Sequence, residues 1–201
     1  FFATRLQVTA GFSKMIPLKH EFMQTFRDYQ SEFGGANNVL VAIKVRKGDL
    51  FDKDVLQTVK QVTDDVFYVK GVERSSLLSI STPNARYNEV VEEGFKSGNL
   101  MPGDFVGRPD QIAQVRENVL KSDLVGRIVS ADMTATMVVA TLQERDPETG
   151  ASLNLREVGA EFEKVRAKYE GERVSVHIIG FAKAIADIAD GASQVLVFFI
   201  G

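Results

Sequence analysis

Residues 38–71, NVLVAIKVRKGDLFDKDVLQTVKQVTDDVFYVKG, carry the pattern that decides the fold. Val39, Val41, Ile43 and Val45 alternate along the chain, with Lys44 and Arg46 on the opposite side. Successive side chains of a strand point to opposite faces, so this period predicts a strand with one buried face. Gly48-Asp49 then supplies turn chemistry. Beyond it the period changes. Val55, Val59, Val62, Val66 and Val69 recur every three or four residues, which places them on one face of a helix. Asp52 or Asp54 is suited to cap its first turn, and Gly71 to end it. A strand followed by a one-faced helix implies a layered domain in which the helix covers the sheet.

The same alternation of elements continues outward. Ser75 to Ser81 reads as a further strand, closed by Pro83. Upstream, Pro17 opens a helical pattern carried by Leu18, Phe22, Phe26, Tyr29 and Phe33, which Gly34-Gly35 stops. Downstream, Pro109 opens a helix bearing Ile112, Val115 and Val119, and a strand pattern runs from Gly126 through Val129. Met133 to Leu142 is almost unbroken in apolar residues and Thr, which predicts a strand buried on both faces. Asp146-Pro147 and Gly150 mark a turn. Asn154 with Glu157 three residues later has the spacing of a capping box, and its helix presents Leu155, Val158, Phe162, Val165 and Tyr169. Gly171 ends that helix, and Val174, Val176 and Ile178 define a strand face. A last helical stretch, Phe181 to Asp190, leads into the apolar run Val195 to Ile200.

The order helix, strand, helix, strand thus occurs twice. The expected fold class is α/β (α+β), as two βαβ-type ferredoxin-like subdomains over residues 6–83 and 109–193. Residues 84–108 form the crossover between them. This segment is rich in Gly and Pro, lacks a clear period, and holds Phe95, Leu100, Met101 and Phe105. A loop so long inside a domain is often functional, although its apolar residues can equally dock on the core.

Composition narrows the function. The chain has no cysteine, which excludes thiol nucleophiles, Cys-ligated metals and disulfides. Its only histidines are His20 and His177, too few for a His-rich metal site. A net charge of −3 without a basic cluster argues against a nucleic-acid surface. No nucleophile elbow, phosphate-binding Gly loop, H-E-x-x-H or EF-hand pattern is present. Asp64-Asp65 and Glu92-Glu93 are adjacent acids, and neighbours on a helix diverge, so solvated faces are expected. Asp187 and Asp190 share a helix face, but two carboxylates alone make a weak cation site. The chain is therefore expected to be non-enzymatic, with no cofactor and no metal.

Four stretches resemble the first extracytoplasmic loop of RND-superfamily exporters of the MMPL-like, hydrophobe/amphiphile-efflux type. They are Thr25 to Gln30 leading into Phe33 to Val41; Gly71-Val72-Glu73-Arg74 leading into Ser79 to Pro83; Val125 to Asp132; and His177 to Ala182. The resemblance implies a porter domain of ferredoxin-like subdomains lying between the first and second membrane helices. Residues 1–5 would then end the first helix, and residues 194–201 would begin the second. It further implies proton-driven export of hydrophobic or amphiphilic cargo, lipids included, with this segment in the periplasm of a bacterial inner-membrane transporter. The implied partners are that cargo, the rest of the transporter chain and further copies of the intact transporter, but no nucleic acid. The proton-relay acids would lie outside this chain. Phe95, Leu100, Met101 and Phe105 are the candidates for cargo contact. The alternative is an interaction module that docks a partner or a neighbouring protomer without touching cargo. An enzyme hidden in the fold would instead show a deep pocket with convergent polar groups and perturbed acids.

Overall fold

A computed structural model describes residues 37–92 and 94–180. The expected helices over 17–33 and 181–190, the apolar end run, His20, Asp187 and Asp190 lie outside the described residues. The rest is mixed α and β, with antiparallel sheets and, among the described residues, three α-helices.

The first strand, β1 (Asn38–Val45), buries Val39, Val41, Ile43 and Val45, as its alternation requires. It is the centre of a three-stranded sheet. On one side lies β4 (Ala135–Thr141), on the other β5 (Val174–Ile179), both antiparallel to it. The register sets Val41 beside Val138 and Ile178, and Ile43 beside Thr136 and Val176, so all three strands offer one apolar face. The first half of the chain thus contributes the middle strand and the second half both its neighbours.

Helices α1 (Lys53–Tyr68) and α3 (Leu155–Tyr169) contact the sheet and each other. α1 buries Val55, Val59, Val62 and Val66, with Asp52 accepting from the Asp54 N–H at its cap. α3 buries Val158, Phe162 and Val165. At its cap Asn154 accepts from the N–H groups of Arg156 and Glu157, and its Nδ2 donates to Glu157 Oε1 at 2.7 Å, a side-chain contact in place of the backbone return bond of a capping box. The other sheet face carries Leu40, Ala42, Met137, Val139 and the half-exposed Ile179. The long apolar run is therefore not buried on both faces. In β4, Thr136, Val138 and Ala140 are buried, while the residues between them are only partly so.

Ser75 to Ser81 does not form the expected strand. Arg74–Ser76 is one 3₁₀ turn, and only single bridges join this segment to the sheet, Val72 to Leu142 and Leu78 to Val139. Side chains override the ladder. Glu73 accepts from Ser75 Oγ at 2.7 Å, Ser76 Oγ donates to Glu73 O, and Thr82 Oγ1 both donates to Ser79 O and accepts from Ser79 N–H. Ser and Thr offer the backbone such local alternatives to sheet pairing. The stretch through Val129 is likewise reduced to isolated bridges, Val125 to Val129 and Val129 to Thr136.

Residues 84–108 contain order that no periodicity announced. β2 (Arg86–Val91) and β3 (Gly94–Asn99) form a separate two-stranded hairpin. Its base is tied: Arg86 donates to Ser97 Oγ and Asn99 Oδ1, and Leu100 N–H to Ala85 O. α2 (Pro109–Lys121) braces it. Asn118 Nδ2 donates to the carbonyls of Asn99 and Leu100, and Lys121 pairs with Glu89. Buried Gln111 secures the approach to α2, accepting from the N–H of Val106 and Arg108 and donating to Asp104 O.

Candidate functional site

α1 and the Gly71–Asn84 segment run past one another and leave an open cleft of about 350 Å³. From α1 come Lys60, Thr63, Asp64 and Phe67; from the facing segment Arg74, Leu77, Ser81 and Asn84. The helical period explains the first set, because positions 60, 63, 64 and 67 share one flank of α1. The 3₁₀ turn explains Arg74, since it swings that residue out of the sheet direction.

The chemistry of the cleft is asymmetric. Arg74 lies over the Phe67 ring, 5.2 Å from its centroid. No carboxylate or other hydrogen-bond acceptor meets its guanidinium among the described residues. The adjacent carboxylate is engaged elsewhere: Glu73 accepts from Gln143 Nε2 at 3.0 Å and from Ser75, and these donors hold it below the usual carboxylate range. Lys60 and Asp64 pair with each other at 3.3 Å. The surplus charge in the cleft is therefore the single positive charge of Arg74.

A chain of hydroxyls ends at the same place. Thr63 Oγ1 lies 2.8 Å from both Val59 O and Ser79 Oγ, and Ser79 Oγ lies 3.1 Å from Ser81 Oγ. Each hydroxyl has one proton. If Thr63 donates to Ser79 and Ser79 donates to Ser81, the Ser81 proton is free to turn into the cleft. Asn84 donates once, to Leu77 O at 3.0 Å, and its remaining amide capacity is unused among the described residues. Leu77 is buried, half-buried Phe67 and exposed Pro83 flank it, and together they give an apolar surface beside these polar groups.

A shallower depression between α1 and α3 differs in one respect. It is lined by Asp65, Tyr68, Glu161, Lys164 and Lys168, but both cations are already paired, Lys168 with Asp65 at 2.7 Å and Lys164 with Glu161 at 2.6 Å. Asp64 and Asp65 thus diverge to separate lysines, as adjacency on a helix requires. His177 is exposed on the open sheet face beside Ser175 Oγ. Among the described residues, no group of three His, Asp or Glu is placed to hold a metal ion.

The four residues proposed for cargo contact do not stay together. Leu100 is fully buried, and Met101 and Phe105 are buried with it in the core beneath the hairpin. Phe95 is 86% exposed and pairs across the hairpin with Val90, 78% exposed. Two consequences follow from this split. Leu100→Ala should cost about 2–5 kcal/mol of stability by opening a cavity. Phe95→Ser should leave stability within about 0.5 kcal/mol. Urea titrations of the two variants check both. The residues that composition reasoning missed are Arg74, Ser81 and Asn84. The only sequence signal for them was the run of Ser, Thr and Pro after an unpaired Arg, which reads equally well as a strand end.

The chain matches no protein-family profile. Over 145 residues it is 27% identical to "Putative membrane protein MJ1562" of Methanocaldococcus jannaschii, an alignment covering 69% of this chain and 33% of that protein. The chain thus spans about a third of the length of that relative. Among the described residues, no helix is long and apolar enough to cross a membrane.

Proposed function

We propose that the chain is an extracytoplasmic domain of a membrane transporter, a porter domain of an RND-type, MMPL-like exporter of amphiphilic molecules. The observation that carries this reading is the position of the two ends of the described domain. Leu40 pairs with Ile179, and Gly180 sits against the Asn38 carbonyl, so the chain enters and leaves at one end of one sheet. A domain inserted between two consecutive membrane helices needs that geometry. The topology supports it as well. The Leu78 segment, β4, β1 and β5 lie side by side in that order, with α1 and α3 as the connections on either hand. We read this as one ferredoxin-like unit whose middle connection has acquired the hairpin and α2. The similarity to a protein named for a membrane agrees with a domain of this kind, and the proton-relay acids would lie in the membrane part. The domain would work by moving against its neighbours as the membrane helices rock, rather than by bond chemistry.

This chain has no cysteine, so a single one introduced into it reports its own location. With Phe95→Cys in the intact protein, any cysteines elsewhere being replaced, a membrane-impermeant maleimide should label whole cells. Labelling only after lysis would overturn an extracytoplasmic location.

Docking of a partner is the second reading, and the hairpin favours it. The path to the hairpin leaves the sheet beyond Leu78 and returns at Ala135, which pairs with Lys44, at the far end of β1 from Asn38 and Gly180. That end of β1 lies about 20–25 Å from Asn38, given the rise per residue of a strand. An exposed Val90–Phe95 pair on a hairpin rooted in that path suits contact with a protein. The Phe95→Ser variant separates the two readings: lost assembly with retained transport supports docking.

A further inference from the structure

The cleft beneath α1 holds an unmatched cation, and from it we infer a binding site for the oxyanion of a small amphiphile, a phosphate or carboxylate joined to a short apolar group. Arg74 would grip the oxyanion. Its guanidinium is the only charged group of the cleft without a partner among the described residues, and it lies over the Phe67 ring, 5.2 Å from the centroid, within cation–π range. A planar guanidinium matches the two oxygens of a phosphate or carboxylate. Ser81 Oγ–H and the second Asn84 amide N–H supply neutral donors on the same wall. Thr63 and Ser79 serve only to orient Ser81, because their own protons are used within the hydroxyl chain.

The apolar part follows from size and lining. The cleft, about 350 Å³, lies within the roughly 300–1,000 Å³ range of small-molecule sites and is more than a bare oxyanion needs. Leu77, Phe67 and Pro83 provide the surface on which a short chain would lie. Asp64 also lines the cleft, but Lys60 neutralises it at 3.3 Å. An oxyanion is therefore attracted by the net positive charge, and a cationic amphiphile is repelled by it. This site depends on the cleft alone, so its failure leaves the transporter reading standing, and the reverse also holds.

The test uses the 201-residue chain, titrated calorimetrically at low salt with n-octyl phosphate, inorganic phosphate and n-octyl glucoside. The expected result is saturable binding of octyl phosphate, weaker binding of inorganic phosphate and none of the glucoside. Arg74→Met keeps an apolar side chain beside Phe67 but removes the charge, and it should weaken octyl phosphate binding by about tenfold or more. Arg74→Lys should retain part of it. Ser81→Ala, checked by an unchanged melting temperature, should weaken it by a few-fold. Equal affinity for inorganic and octyl phosphate would remove the amphiphile from the proposal. Binding that Arg74→Met leaves intact, or equal binding of the glucoside, would overturn the site.

Discussion

Phe162→Ala is expected to lower the unfolding free energy by about 3–5 kcal/mol, a large share of the roughly 5–15 kcal/mol that holds a domain together. Phe162 is 1% exposed and the largest fully buried side chain among the described residues. It lies on the inner face of α3, which packs on both β5 and α1. Removing the ring therefore opens a void where three elements meet, and the close-packed surroundings relax only in part. The midpoint of a urea transition should fall with an unchanged slope, because the same surface is still exposed on unfolding. A loss below about 1 kcal/mol would mean that α3 does not pack on the sheet as described. Leu155→Ala on the same helix, at a partly buried position, is the milder control.

The second large effect is expected at the point where the ends of the domain meet. Gly180 has φ +142°, a conformation open essentially to glycine alone. An added Cβ there would lie 2.4 Å from the Asn38 carbonyl oxygen and 3.2 Å from Val39 Cα. Both neighbours are backbone, and both belong to the start of β1, which cannot shift without disturbing its pairing with β4 and β5. Gly180→Ala should accordingly cost at least about 2 kcal/mol, combining conformational strain with the clash. Gly48→Ala is the matched control. Its φ is +91°, but nothing lies within 4 Å of the new Cβ, so only the conformational cost applies. Thermal unfolding of the two variants should separate clearly. Equal losses would show that Asn38 and Gly180 are not held side by side, and the strongest support for insertion between two membrane helices would go with them.

Much of the secondary structure is written locally. The period-two run at Val39 to Val45 and the helical spacings at Val55 to Val66 and at Val158 to Val165 determine an element wherever it is placed, because one face must be buried. Asp52 and Asn154 are readable as caps for the same reason: each acts on N–H groups within three residues. Segments failed where burial gave no rhythm. The hairpin strands are almost wholly exposed, and with Gly94, Lys96, Ser97 and Gly98 in β3 they show no apolar face to detect. The Ser75 to Ser81 stretch failed for the opposite reason, since its own side chains compete with the sheet for the backbone.

The tertiary structure alone decided which elements meet. That β1 lies between β4 and β5, with partners some hundred residues ahead, depends on long-range pairing that no local pattern encodes. The same pairing brings the two ends of the described domain together. It also decided the fate of the four apolar residues after Asn84: Leu100, Met101 and Phe105 went into the core, and Phe95 went to the tip of the hairpin. Hydrophobicity says only that such residues gain by leaving water; whether there is a partner to cover them is settled by packing. Arg74 makes the complementary case. Its charge is plain in the sequence, but it lacks a partner among the described residues because Gln143 and Ser75 have engaged the neighbouring Glu73 carboxylate.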